Sequence, residues 1–204
     1  DQPRLEINGG IESPQKIVIL LHGRGSTAQD LAPLAKQLVV GDVRMILPQA
    51  AKNRWYPNTA FGPLEDNEPD LSSALAVVSG LIDELVAKGI SRENILLGGF
   101  SQGACLAAEY TARNPDRYGG LFILSGALIG PPGEPRRVQG NLQGMPVFIG
   151  GSDRDPWVDH DLMVKATAVF EDLGGDVEFR TYPGMGHTVN EDELEAVRDM
   201  IAGI

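Results

Sequence analysis

Cysteine is almost absent from this chain: Cys105 is the only one in 204 residues, so no internal disulfide can form. It lies one helical turn after Ser101, on a stretch expected to pack against a sheet, and reads as a buried, inert thiol. Long apolar runs are missing too. Stretches such as Ile17-Val18-Ile19-Leu20-Leu21 are far too short to span a bilayer, and no signal-peptide pattern is seen. No basic cluster exists, and the net charge of −11 argues against nucleic acid or anionic membrane surfaces as partners. The three histidines are scattered, with none of the HExxH or Cys/His spacings that bind zinc. Together these absences predict a cytoplasmic protein with no stable membrane insertion and no metal.

What is present is ordinary for a folded chain, 42% hydrophobic and 22% charged, and the length suits a single domain over residues 1–204. Strand-like and helix-like stretches alternate. Apolar, β-branched runs at 15–21, 43–47, 94–100, 120–124, 146–150 and 177–182 read as strands. Helical stripes are expected over 30–40, 71–88, the segment after Ser101, 158–173 and 191–201. With a start at Asp30, Pro33 would fall in the first turn of its helix, where proline is tolerated. Asn190 with Glu193 makes a capping pair for the last helix. Buried strands alternating with helices predict a mostly parallel central sheet covered on both faces, with the ligand site beyond the carboxyl ends of the strands. Two long stretches, 48–69 and 126–144, lack regular patterning. The first carries Trp55, Tyr56 and Phe61, which are expected to wall a binding pocket.

Gly99-Phe100-Ser101-Gln102-Gly103 follows one strand and opens a helix. In that context G-x-S-x-G is a nucleophile elbow, with the serine at the apex of a strained turn and glycine needed at both ends for close packing. By itself the pattern arises by chance about 0.1 times in a chain of this composition, and a serine there can simply cap the helix. Its meaning rests on partners.

A serine hydroxyl needs a base, and histidine is tuned for that role near neutral pH. His187 sits in Gly184-Met185-Gly186-His187 after the last strand, late in the chain, where the order Ser, Asp or Glu, His puts the base. His22 ends the first strand and His160 opens a helix. Gly151-Ser152-Asp153-Arg154-Asp155-Pro156 offers two acids. Asp155 is favoured because Pro156 holds it extended, whereas Asp153 suits a turn, bonding N–H groups two residues on. The oxyanion donors are expected to be the main-chain N–H groups of Gln102 and of Arg24, the latter in His22-Gly23-Arg24-Gly25-Ser26. That loop also fits G-x-G-x-x-A, a dinucleotide fingerprint, but the next strand is followed by Pro48-Gln49-Ala50 and not by the acid a ribose requires.

With these parts placed, the chain resembles the phospholipase/carboxylesterase family of the α/β-hydrolases, which includes bacterial carboxylesterases and acyl-protein thioesterases. The resemblance runs from about Lys16 to the C-terminus, and rests on Leu20-Leu21-His22-Gly23-Arg24-Gly25, Gly98-Gly99-Phe100-Ser101-Gln102-Gly103, Leu124-Ser125-Gly126, the 151–156 block and Gly186-His187. It implies a compact α/β-hydrolase fold without a large cap. It also implies hydrolysis of carboxylic esters or thioesters of small molecules by Ser101, His187 and Asp155, with no cofactor. A homodimer is left open. Asp155-Pro156-Trp157-Val158-Asp159 departs from the usual pattern, which has a proline after the apolar pair, and the bulk of Trp157 beside the acid is expected to narrow the acyl or alcohol pocket.

Overall fold

Strand and helix alternate along the computed structural model, which describes residues 3–9, 14–134, 136 and 138–204. Chain order is β1 (Arg4–Asn8), β2 (Lys16–Leu21), α1 (Ala28–Leu38), β3 (Val43–Pro48), α2 (Asp70–Ala87), β4 (Ile95–Phe100), α3 (Gln102–Arg113), β5 (Gly120–Leu124), β6 (Pro146–Ser152), α4 (His160–Asp172), β7 (Asp176–Tyr182) and α5 (Glu191–Gly203). The strands lie in the order β1-β3-β2-β4-β5-β6-β7, and only β1 runs antiparallel to its neighbour.

The unbroken apolar character of the central strands follows from burial on both faces. Along β2, Ile17, Ile19 and Leu21 join a core with Leu81 of α2, Leu106 of α3 and Phe170 of α4. Val18 and Leu20 point the other way, against Leu31 and Leu38 of α1 and Val197 of α5. This is the mostly parallel sheet between helical layers that the alternation predicts. Among the described residues no cap domain covers the strand ends, and no helix is long and apolar enough to cross a membrane.

Most boundaries fall within two residues of expectation, and three differences have a local reason. Strand β1 has no counterpart in the sequence reading; it is a short edge strand whose Arg4 forks onto Glu84 of α2 at 2.7 and 2.9 Å. Helix α1 begins at Ala28, because Thr27 and Asp30 form a reciprocal capping box. Pro33 therefore lies inside the helix, where it withholds one hydrogen bond from the carbonyl of exposed Gln29. Helix α4 begins at His160, because Asp159 is extended and caps it, its Oδ1 accepting the Asp161 N–H at 3.0 Å.

The two patternless stretches are held by buried polar side chains. Glu109 of α3 is fully buried, accepts the Ile129 N–H at 3.1 Å, and pairs with Arg113 at 2.6 Å and with Arg136. It thereby ties the chain after β5 to the helix that starts at the elbow.

Candidate active site

Ser101 occupies the turn between β4 and α3 with φ +56° and ψ −121°, a conformation that costs a non-glycine residue about 1–3 kcal/mol. The surroundings hold it there. Its N–H donates to the Leu124 carbonyl at 3.0 Å, and its carbonyl accepts the Cys105 N–H at 3.0 Å. Close packing around the turn requires glycine at both ends of the motif. A Cβ on Gly99 would stand 2.5 Å from the Gly103 carbonyl carbon, and one on Gly103 would overlap the Leu21 carbonyl. The Ser101 hydroxyl makes no capping bond to α3. It lies instead 2.9 Å from His187 Nε2.

The other imidazole nitrogen of His187, Nδ1, is 2.6 Å from Asp155 Oδ2. Phe100 packs beside the ring, with centroids 4.8 Å apart. The Asp155 side chain is fully buried, and its Oδ1 accepts N–H groups from Trp157 at 2.8 Å and Val158 at 3.1 Å. With Nδ1–H donated to Asp155, the lone pair of Nε2 faces the serine hydroxyl. So three residues spread over 86 positions of the chain converge beyond the carboxyl ends of β4, β6 and β7. This hydrogen-bonded chain has the geometry for nucleophilic attack assisted by a general base.

Gly23 lies against the serine, since a Cβ there would stand 3.4 Å from Ser101 Cβ. Arg24 and Gln102 both line the cleft, and their main-chain N–H groups take no hydrogen-bond partner among the described residues. The Arg24 side chain does separate work: its guanidinium donates to the Pro57 carbonyl at 2.5 Å and to the Asn58 carbonyl. Gln102 also has a second part to play, which the sequence reading missed. Its buried amide accepts the Trp55 N–H and donates to the Tyr56 carbonyl, both at 2.9 Å. A polar residue opening a helix whose next ten residues are all buried was the available signal.

The cleft in front of Ser101 has a volume of about 840 Å³ and is walled by Tyr56, Phe61, Phe100, Cys105, Trp157 and Val158. This places Phe61 and Trp157 where expected but not Trp55. The Trp55 ring is buried behind the wall, where its indole N–H donates to the His22 carbonyl at 2.8 Å and its ring sits 5.1 Å from the His22 ring. A buried indole needs such an acceptor, and that need draws Trp55 inward. Trp157 lines the cleft with a side chain that is 73% exposed.

The other two histidines lie elsewhere. His22 is buried and held neutral by desolvation, its Nδ1 against the Gly23 carbonyl at 2.8 Å and its Nε2 accepting the Ala50 N–H at 3.1 Å. His160 contacts Thr181 Oγ1 at 2.9 Å. Burial pushes the Cys105 thiol up to about 11, which leaves it protonated beneath the cleft. Among the described residues no group of three or more His, Cys, Asp or Glu is placed to hold a metal ion.

Behind the histidine loop, Glu193 reciprocates the Asn190 cap: its Oε2 accepts the Asn190 N–H at 2.9 Å, while Oε1 is buried without a partner among the described residues. Burial, opposed by the Asn190 N–H and reinforced by Asp192, raises its carboxyl from 4.5 to about 7. A raised carboxyl pKa means that the fold prefers the protonated form. Stability is therefore full below the unfolded-state value and falls as pH climbs from about 4.5 to about 7. The loss is on the order of 1–3 kcal/mol. Melting temperatures of wild type and Glu193→Gln between pH 4.5 and 8 should diverge over that window, the variant staying nearly flat. Parallel curves would contradict the assignment.

A family model described as phospholipase/carboxylesterase matches residues 2–204. Over 201 residues the chain is 30% identical to acyl-protein thioesterase 1 of Kluyveromyces lactis, covering 89% of this chain and 88% of that one. It is 28% identical to lysophospholipase-like protein 1 of Mus musculus, covering 90% and 84%. Among solved structures, a phospholipase/carboxylesterase from Dyadobacter fermentans is 37% identical and superposes with a TM-score of 0.92 over 99% of this chain and 97% of that one.

Proposed function

This chain belongs to the phospholipase/carboxylesterase family, and from that premise we propose that it hydrolyses small-molecule carboxylic esters through an acyl-enzyme on Ser101. The observation that carries the reading is the continuous hydrogen-bonded line from Asp155 through His187 to the strained serine, at 2.6 and 2.9 Å. Ser101 Oγ attacks the ester carbonyl as His187 Nε2 takes its proton, and the oxyanion that forms is received by the N–H groups of Arg24 and Gln102. His187 then returns the proton to the departing alkoxide, which leaves as the alcohol. Water, deprotonated by the same nitrogen, releases the acid. Asp155 holds the imidazole in the tautomer this requires and stabilises it once charged. The reading takes residues 1–204 as one domain acting in the cytoplasm without a cofactor.

Substrate size is the finer part of the proposal. The absence of a cap favours short to medium acyl chains. The cleft of about 840 Å³ is nevertheless larger than a shallow pocket. That volume, together with a relative named acyl-protein thioesterase, favours acyl-thioester hydrolysis as the second reading. A panel of p-nitrophenyl acetate, butyrate, octanoate and palmitate, with octanoyl thioester alongside, separates the two. We expect kcat/KM to peak between butyrate and octanoate and to fall at least tenfold by palmitate. A flat or rising series contradicts the chain-length proposal, and a thioester preferred over its oxoester counterpart selects the second reading.

A further inference from the structure

The segment that carries His187, residues 183–189 between β7 and α5, is almost without main-chain anchorage. Among the described residues its one backbone bond to backbone is internal to the turn, Met185 N–H to the Tyr182 carbonyl at 3.3 Å. Pairing of β6 with β7 ends at Ser152 opposite Tyr182. Beyond that point the ladder is continued by side chains of the β6 terminus. Asp153 Oδ1 accepts the Gly184 N–H at 2.6 Å, and Ser152 Oγ accepts the Gly186 N–H at 3.1 Å. Ser125, at the end of β5, adds a weaker tie from its hydroxyl to the Thr188 carbonyl at 3.3 Å.

Gly184 and Gly186 have φ of +70° and +80° with open space around them, so these two bonds hold the glycines themselves, while Val189 packs on the core and Asn190 Nδ2 reaches Met185 Sδ at 2.9 Å on the far side of the loop. Ser152 is fully buried and turned into its place by a second bond, accepting the Arg154 N–H at 3.0 Å. The local turn is therefore made by Ser152 and by Asp155, while Asp153 reaches a partner 31 residues away. This revises the expectation that Asp153 would bond N–H groups two residues on.

We propose that Ser152 and Asp153 are positioning residues, a two-point clamp that sets the height of the His187 loop above Ser101. The proposal rests on the catalytic reading given above, and it extends that reading to side chains that touch neither substrate nor the reacting atoms. The two donors, the N–H groups of Gly184 and Gly186, flank Met185 just before His187, so releasing either lets the imidazole swing about the other. Nε2 must stay within hydrogen-bond reach of the hydroxyl, and a displacement near 1 Å at such a contact costs roughly 10²-fold in rate.

The test compares wild type, Ser152→Ala, Asp153→Ala, Asp153→Asn and the double alanine variant, with kcat referred to sites titrated by a fluorophosphonate so that unfolded protein is not counted. We expect kcat to fall about tenfold in each alanine variant and about 100-fold in the double variant, with KM within twofold of wild type. Asp153→Asn, whose amide oxygen still accepts from Gly184, should stay within threefold of wild type. Hydrogen–deuterium exchange of the peptide covering 183–189 should speed in the alanine variants and not in Asp153→Asn. Unchanged kcat per titrated site in the double variant overturns the clamp. Equal loss in Asp153→Ala and Asp153→Asn also overturns it, because charge and not acceptance would then be at work. A wild type inert on every ester defeats the catalytic reading, yet the exchange measurement still decides whether the clamp holds the loop.

Discussion

Replacing Ser101 by alanine is expected to lower kcat for an activated ester by about 10⁴- to 10⁶-fold while leaving the fold intact. The loss should be almost purely chemical. Alanine carries the same Cβ as serine, so the backbone at φ +56° is no more strained in the variant than in the wild type. The hydroxyl makes no bond to α3, so its removal uncaps nothing. What disappears is the nucleophile, while the N–H groups of Arg24 and Gln102 and the apolar cleft persist and account for any residual rate. Melting temperature should move by no more than a degree or two, and inhibitor binding in the cleft should be retained. A variant that kept a tenth of wild-type activity would place the reaction elsewhere.

The second large effect is expected at Asp155→Asn, and its reason lies in the second oxygen of the carboxylate. Oδ1 already accepts from Trp157 and Val158, so the asparagine amide must keep its oxygen there and turn its NH₂ toward His187. A donor facing Nδ1 forces the ring proton onto Nε2, and the serine then meets an N–H where it needs a lone pair. We expect kcat to fall about 10⁴-fold, with KM changed little and the melting temperature close to that of wild type. Were the orientation set by Phe100 alone, which packs 4.8 Å from the ring, Asp155→Asn would be nearly silent.

Much of this site was legible because its signals are local. Five-residue apolar runs marked strands buried on both faces. A serine between two glycines at a strand–helix junction marked the elbow, and the loops after later strands held one histidine and two acids to choose from. The choice of Asp155 followed from a single neighbour, Pro156. What stayed hidden depends on partners distant along the chain. Trp55 looked like a pocket wall because aromatics in polar loops often are, yet its indole N–H finds the carbonyl of His22, 33 residues away. The Gln102 amide reaches 46 and 47 residues back to fasten the Trp55–Tyr56 backbone, and nothing in G-x-S-x-G distinguishes that role from a spacer. Asp153 was read as a local turn former because a sequence shows N–H groups two residues on more readily than one in another loop. Strand β1 escaped because a five-residue edge strand with one partner has too little buried face to leave a pattern.

The most direct test of the central claim is the mass of the intact protein after treatment with a fluorophosphonate, followed in step with its esterase activity. The account predicts a single adduct, located on the peptide containing Ser101, with activity falling in proportion to labelling and neither labelling nor activity in the Ser101→Ala variant. Full activity in a fully labelled protein, or an adduct on a residue other than Ser101, would contradict it.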